Sequence, residues 1–75
     1  MFKIIYLPTA EFVRSDGYYH LPNEGPVVTF KTKKDALDSM RCNNFYFDWA
    51  GFPFIYRKHL EKPGIRKHLL EVVDV

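Results

Sequence analysis

Seventy-five residues suffice for one domain, residues 1–75, and a chain this short buries only about 60% of its extended surface. A formal charge of +2 excludes a nucleic-acid protein recognisable from bulk charge alone, and a single cysteine, Cys42, excludes an intramolecular disulfide. No charged-then-apolar leader opens the chain and no apolar run approaches the roughly 18 residues of a membrane span, so a reducing cytoplasm is the expected setting, with no membrane.

The chain opens on Phe2-Lys3-Ile4-Ile5-Tyr6-Leu7, a β-branched and aromatic run stopped by Pro8, which reads as a buried strand. Glu11-Phe12-Val13-Arg14 is expected to pair back on it through the Pro8-Thr9-Ala10 turn. Ser15-Asp16-Gly17 is a second turn, and Tyr18-Tyr19-His20 a brief third strand. Leu21 to Pro26 is a loop with two prolines and a glycine, after which Val27-Val28-Thr29-Phe30 reads as a strand.

Thr32-Lys33-Lys34-Asp35 has the form of a capping box. It starts a helix expected over residues 33–43, with Ala36, Leu37 and Met40 facing inward and Asn43-Asn44 as the stop. Phe45 to Trp49 suits either a helical turn or an irregular aromatic loop, and Gly51 and Pro53 interrupt what precedes them. Phe54 to Leu60 and Arg66 to Val75 read as strands around a Lys62-Pro63-Gly64-Ile65 turn. Strands and helix do not alternate as βαβ units would. The expected fold is therefore α+β, a small antiparallel sheet with one helix on one face, in the order β-β-(β)-β-α-β-β.

Charge is unevenly distributed. Between Arg57 and His68 five cations face one acid, Glu61, so this stretch carries +4 and the remainder of the chain −2. Pairing of the last two strands across a two-residue turn would set Lys62 opposite Ile65, His59 opposite His68 and Arg57 opposite Leu70. The triplets Arg57-Lys58-His59 and Arg66-Lys67-His68 would then lie side by side as a cationic finger. Arginine offers bidentate geometry to phosphate. The competing reading is that these cations only protect an edge hairpin from aggregation. His59 and His68 lack a third ligand and make a poor zinc pair, so no metal and no cofactor are expected.

Seven rings fall between Phe45 and Tyr56. Some must build the core and one or two are expected exposed or half-exposed at a contact surface, the competing reading being that all seven pack internally or close a homodimer. Trp49, beside Asp48 and Gly51, is the ring expected outside, and Tyr56 is the second candidate anchor. There is no Gly-rich phosphate loop, His-Glu-x-x-His helix or Cys-x-x-Cys pair. Histidine-based cleavage of RNA by His20, His59 and His68 has no further support, so no catalytic residue is named and the chain is expected not to be an enzyme.

Tyr6-Leu7-Pro8-Thr9, Asp16-Gly17-Tyr18, Val27-Val28-Thr29-Phe30 leading into Lys31-Thr32-Lys33-Lys34-Asp35-Ala36, and the closing Glu71-Val72-Val73-Asp74-Val75 resemble the build of small accessory proteins of T4-like bacteriophages. The resemblance implies host takeover or defeat of host defence. Such proteins act by occupying a host protein such as a toxin nuclease, a defence factor or a transcription component, and some bind RNA. No functional residue is carried over from it. Three functions follow as expectations. The first is an inhibitor or modulator of a host nucleic-acid-handling protein, with contacts from Arg57, Lys58, His59, Lys62, Arg66, Lys67, His68, Trp49 and Tyr56. The second is a direct binder of single-stranded RNA, and the third a structural, oligomer-forming domain.

Overall fold

The computed structural model describes residues 1–15, 25–56 and 63–75. Strand β1 (Phe2–Tyr6) turns through Thr9 and Ala10, the latter at φ 58°, into the two-residue β2 (Glu11–Phe12). Helix α1 (Lys33–Cys42) leads directly into β3 (Asn44–Phe47), which returns as β4 (Pro53–Tyr56). A 3₁₀ turn at Lys67–Leu69 then enters β5 (Leu70–Asp74). The expected α+β class holds: one α-helix with antiparallel sheets, β2-β1-β5 and β3-β4.

The two sheets are stitched together by main-chain bonds outside the named strands. Arg14 donates to the Pro53 carbonyl at 3.1 Å and accepts from Ile55 at 2.9 Å, joining the end of β2 to β4. On the far side of the hairpin Ile65 donates to Phe45 of β3 at 2.7 Å. Pairing therefore runs from β5 through β1, β2, β4 and β3 to Ile65, and the chain from Ile65 to Leu70 completes a ring.

Inside that ring lies the core of Ile4, Val13, Phe45, Ile65 and Leu70, with Tyr6, Phe30, Met40, Ile55, Leu69 and Val72 packed against it. Alternation explains the membership: Ile4 and Tyr6 share a face of β1, and their partners Val72 and Leu70 share the same face of β5. Helix α1 packs against β1 and β5 and places Ala36 in full burial. Its start is as expected, the Thr32 hydroxyl accepting from the Asp35 amide at 3.1 Å. Its end is Asn43, whose amide reaches the Ser39 carbonyl at 3.0 Å.

Four expectations are corrected. Leu37 is exposed, because it sits one residue, or about 100°, round the helix from Ala36 and so at the margin of the buried stripe. Val27 to Phe30 forms no continuous strand: Val27 bridges Arg14 whereas Phe30 bridges Phe2, so the segment changes partner midway. Phe45 to Phe47 is strand, neither helical turn nor loop. Among the described residues the expected pairing of the last two strands is absent: β4 pairs with β3 and β5 with β1. Leu70 faces Tyr6, the Arg57 expected opposite it lying outside the described residues, and Arg66 to Leu69 is a loop with a 3₁₀ turn, not strand. The physical reason is burial. Central pairing with β1 puts Leu70 and Val72 into the common core, which an isolated hairpin does not supply. The expected strand at Tyr18–His20 lies outside the described residues.

Candidate basic contact surface

The turn from Arg66 to Leu69 is short and held at both ends. Ile65 before it is buried and bonded to Phe45; Leu70 after it is buried against β1. Within the turn Leu69 donates to the Arg66 carbonyl at 3.0 Å, and the Leu69 carbonyl accepts from Leu7 at 2.8 Å. A 3₁₀ turn has three residues per revolution, so with Leu69 turned toward the core Lys67 and His68 face outward, while Arg66 precedes the turn in extended backbone. Arg66, Lys67 and His68 are all exposed.

The last turn of α1 comes alongside. Lys67 Nζ lies 3.5 Å from the Arg41 carbonyl, at the helix end where orphan carbonyls carry partial negative charge. This contact brings the exposed Arg41 to the same surface as Arg66, Lys67 and His68. Among the described residues the ion pair is between the Met1 amine and Asp74 at 3.6 Å, and Arg41, Arg66 and Lys67 form none. Such cations are solvated until an anionic partner arrives, so their value lies in recognition more than in stability. Arg41 was not singled out from sequence. Its signal was its place in the last helical turn, which becomes informative only once the 66–68 turn is known to lie beside it.

Arg57, Lys58, His59 and Lys62 lie outside the described residues, as does the His59 half of the weighed zinc pair. Among the described residues no cluster of three or more His, Cys, Asp or Glu is placed to hold a metal ion. No helix among them is long and apolar enough to cross a membrane.

The two ring candidates have different surroundings. Trp49 stands 79% exposed at the tip between β3 and β4. That tip is built by Asp48, whose Oδ1 accepts from the amides of Ala50 and Phe52, each at 2.9 Å, while Gly51 takes φ 88°. Only glycine takes that conformation freely, and the Asp side chain substitutes for a main-chain turn acceptor. Tyr56 is half-buried in a cluster on the outer side of the β3-β4 hairpin, edge-on to Tyr46 at 6.4 Å and to Phe54 at 6.3 Å. The crowding of rings is thus relieved by burying both sides of one hairpin: Phe45 faces the core while Tyr46 and Phe54 are buried on the opposite face. Phe47 projects from the Phe45 side, edge-on to Tyr6 at 5.1 Å and partly exposed.

No protein-family model matches the chain, and no curated protein and no solved structure matches it.

Proposed function

We propose that the chain is a non-enzymatic binding protein that occupies a nucleic-acid-handling or defence protein of a host cell, a toxin nuclease being the expected kind. The resemblance to T4-like phage accessory proteins supplies that setting, in the host cytoplasm. The observation that carries the reading is the Arg66-Lys67-His68 turn, pinned by buried Ile65 and Leu70 and set beside Arg41. A turn whose main chain is already held loses little backbone entropy on binding, and complementary charge speeds encounter with an acidic partner surface.

The test is a pull-down from host lysate with the full chain as bait, with and without ribonuclease. One dominant, ribonuclease-resistant partner is expected, and replacing Arg41, Arg66 and Lys67 by Ala should weaken its capture. Capture that the triple variant leaves unchanged removes this surface from the account. The second reading is direct binding of single-stranded RNA, favoured by Trp49, whose exposed ring is available for base stacking. It requires capture that ribonuclease abolishes and an affinity that falls steeply with salt.

A further inference from the structure

The surface that points to a second partner is the outer edge of β5. Among the described residues this strand is terminal in the sheet order β2-β1-β5. Which of its main-chain groups face outward follows from the bonds to β1. Leu7 donates to Leu69, and Val75 donates to Met1, so the odd-numbered residues of the two segments form the hydrogen-bonded pairs, including Lys3 with Val73 and Ile5 with Glu71. The even-numbered residues of β1 bond in the other direction: Phe2 exchanges both bonds with Phe30, and Ile4 accepts from Val13. On β5 the N–H and C=O groups of Val72 and Asp74, with the C=O of Leu70, therefore point away from β1. The Leu70 amide is already used, donating to Lys67 within the 3₁₀ turn. Glu71 and Asp74 on this strand are exposed.

We infer that this edge pairs with the same edge of a second copy, antiparallel about a two-fold axis at Val72. That register sets Val72 against Val72 of the second copy, and Leu70 against its Asp74, so that every hydrogen-bonded pair consists of outward-facing residues. Glu71 meets Val73 of the second copy. No like charges stand directly opposite each other. The two Glu71 carboxylates meet only diagonally, and each has Lys3 of the second copy two strands away in its own row, about 10 Å distant. Sliding the register to centre on Glu71 would set the two carboxylates face to face. Sliding it to centre on Val73 would give up the Leu70–Asp74 pairs. The arrangement is isologous, with the sheet continuous across both copies. A contact through one five-residue strand belongs to the small-interface class, so the dimer is weak.

Sedimentation of the full chain from about 1 μM to about 1 mM tests this. The wild type should show a monomer–dimer equilibrium. Val73→Glu places a carboxylate opposite Glu71 of the second copy twice over, and should weaken the dimer about tenfold. Val73→Lys places an ammonium there instead and should tighten it by a similar factor. Within one copy position 73 faces Lys3, so the same substitutions act in the opposite sense on the fold, and loss of dimer cannot be mistaken for loss of structure. A monomer at every concentration overturns the inference and leaves the edge to a foreign strand. Equal effects of the two charges also overturn it, since that outcome excludes the Val72-centred register.

Discussion

The Ile65 amide donates to the Phe45 carbonyl across 2.7 Å, and both side chains belong to the same buried core. This bond ties the C-terminal segment to the β3-β4 hairpin at the point where the chain must turn toward β1. Phe45 is thereby held from two directions, by Ile55 across the hairpin and by Ile65 on its open edge. Because the basic turn begins one residue later, the geometry of Arg66 to His68 is inherited from this contact.

The neighbouring glycine shows how little room the contact leaves. A methyl group on Gly64 would stand 3.0 Å from the same Phe45 oxygen and 3.5 Å from the Tyr46 ring. The nearer atom is main chain and cannot swing aside. Gly64→Ala is therefore expected to destabilise by about 1–3 kcal/mol, the usual scale of overpacking. Gly51 is the opposite case, with open space around it but φ at 88°. Gly51→Ala should cost about 1–2 kcal/mol through backbone strain alone. Urea unfolding followed by far-ultraviolet circular dichroism measures both. A second substitution separates the causes: Gly51→Asn should recover part of the loss, whereas Gly64→Asn should be worse than Gly64→Ala.

The helix start is a separate, local determinant. Thr32→Ala removes the acceptor of the Asp35 amide and should cost about 1 kcal/mol, while Thr32→Ser should cost only a few tenths. An unchanged unfolding midpoint for the Ala variant would show that water serves this exposed amide equally well.

What the sequence revealed was what local chemistry determines. Thr32 and Asp35 lie three residues apart, so their capping contact is written in the chain, and so is the exposed tip at Trp49, between a turn-forming Asp48 and Gly51. The return of Glu11-Phe12 onto Ile5-Tyr6 was equally visible, because a short turn leaves few alternatives. The partner of Leu70 to Asp74 was not. Alternation with period two says which residues share a face but not which strand lies opposite, and the choice of β1 over β4 depends on a core gathered from Ile4, Val13 and Phe45. For the same reason Arg41 went unnoticed beside Lys67, twenty-six positions away. Leu37 was misplaced by one helical step. The simultaneous burial of Phe45 and Tyr46 was hidden because a hairpin covered on both faces loses the half-polar pattern that identifies a strand.

Glu11 carries a local conflict that mutation can relieve. Its Oε2 atom is buried and has no hydrogen-bond partner among the described residues, although the residue as a whole is only half-buried in the short strand opposite Tyr6. A buried acceptor left unsatisfied opposes folding, and glutamate is a poor strand former. Glu11→Thr should therefore raise stability by about 0.5–1 kcal/mol. Thermal unfolding of the two chains decides it; a lower melting temperature for Glu11→Thr would mean that the glutamate is satisfied by solvent.

Asp48 offers the sharpest test of the hairpin tip. Its Oδ1 is the acceptor for two amides, Ala50 and Phe52, so Asp48→Ala leaves two donors without their side-chain partner. The expected loss is about 1–2 kcal/mol, with Asp48→Asn much milder because its amide oxygen accepts in the same place. Amide hydrogen exchange should accelerate at Ala50 and Phe52 in the Ala variant and leave the helix unaffected, a pattern that global destabilisation would not produce. Trp49 adds an independent readout. At 79% exposure it already sits in water, so its emission should shift little on unfolding and cannot report stability. The same exposure makes it a clean probe of contact: a blue shift on adding a captured partner or an RNA strand would place the tip in the interface. Unchanged emission at saturation would confine recognition to other parts of the surface.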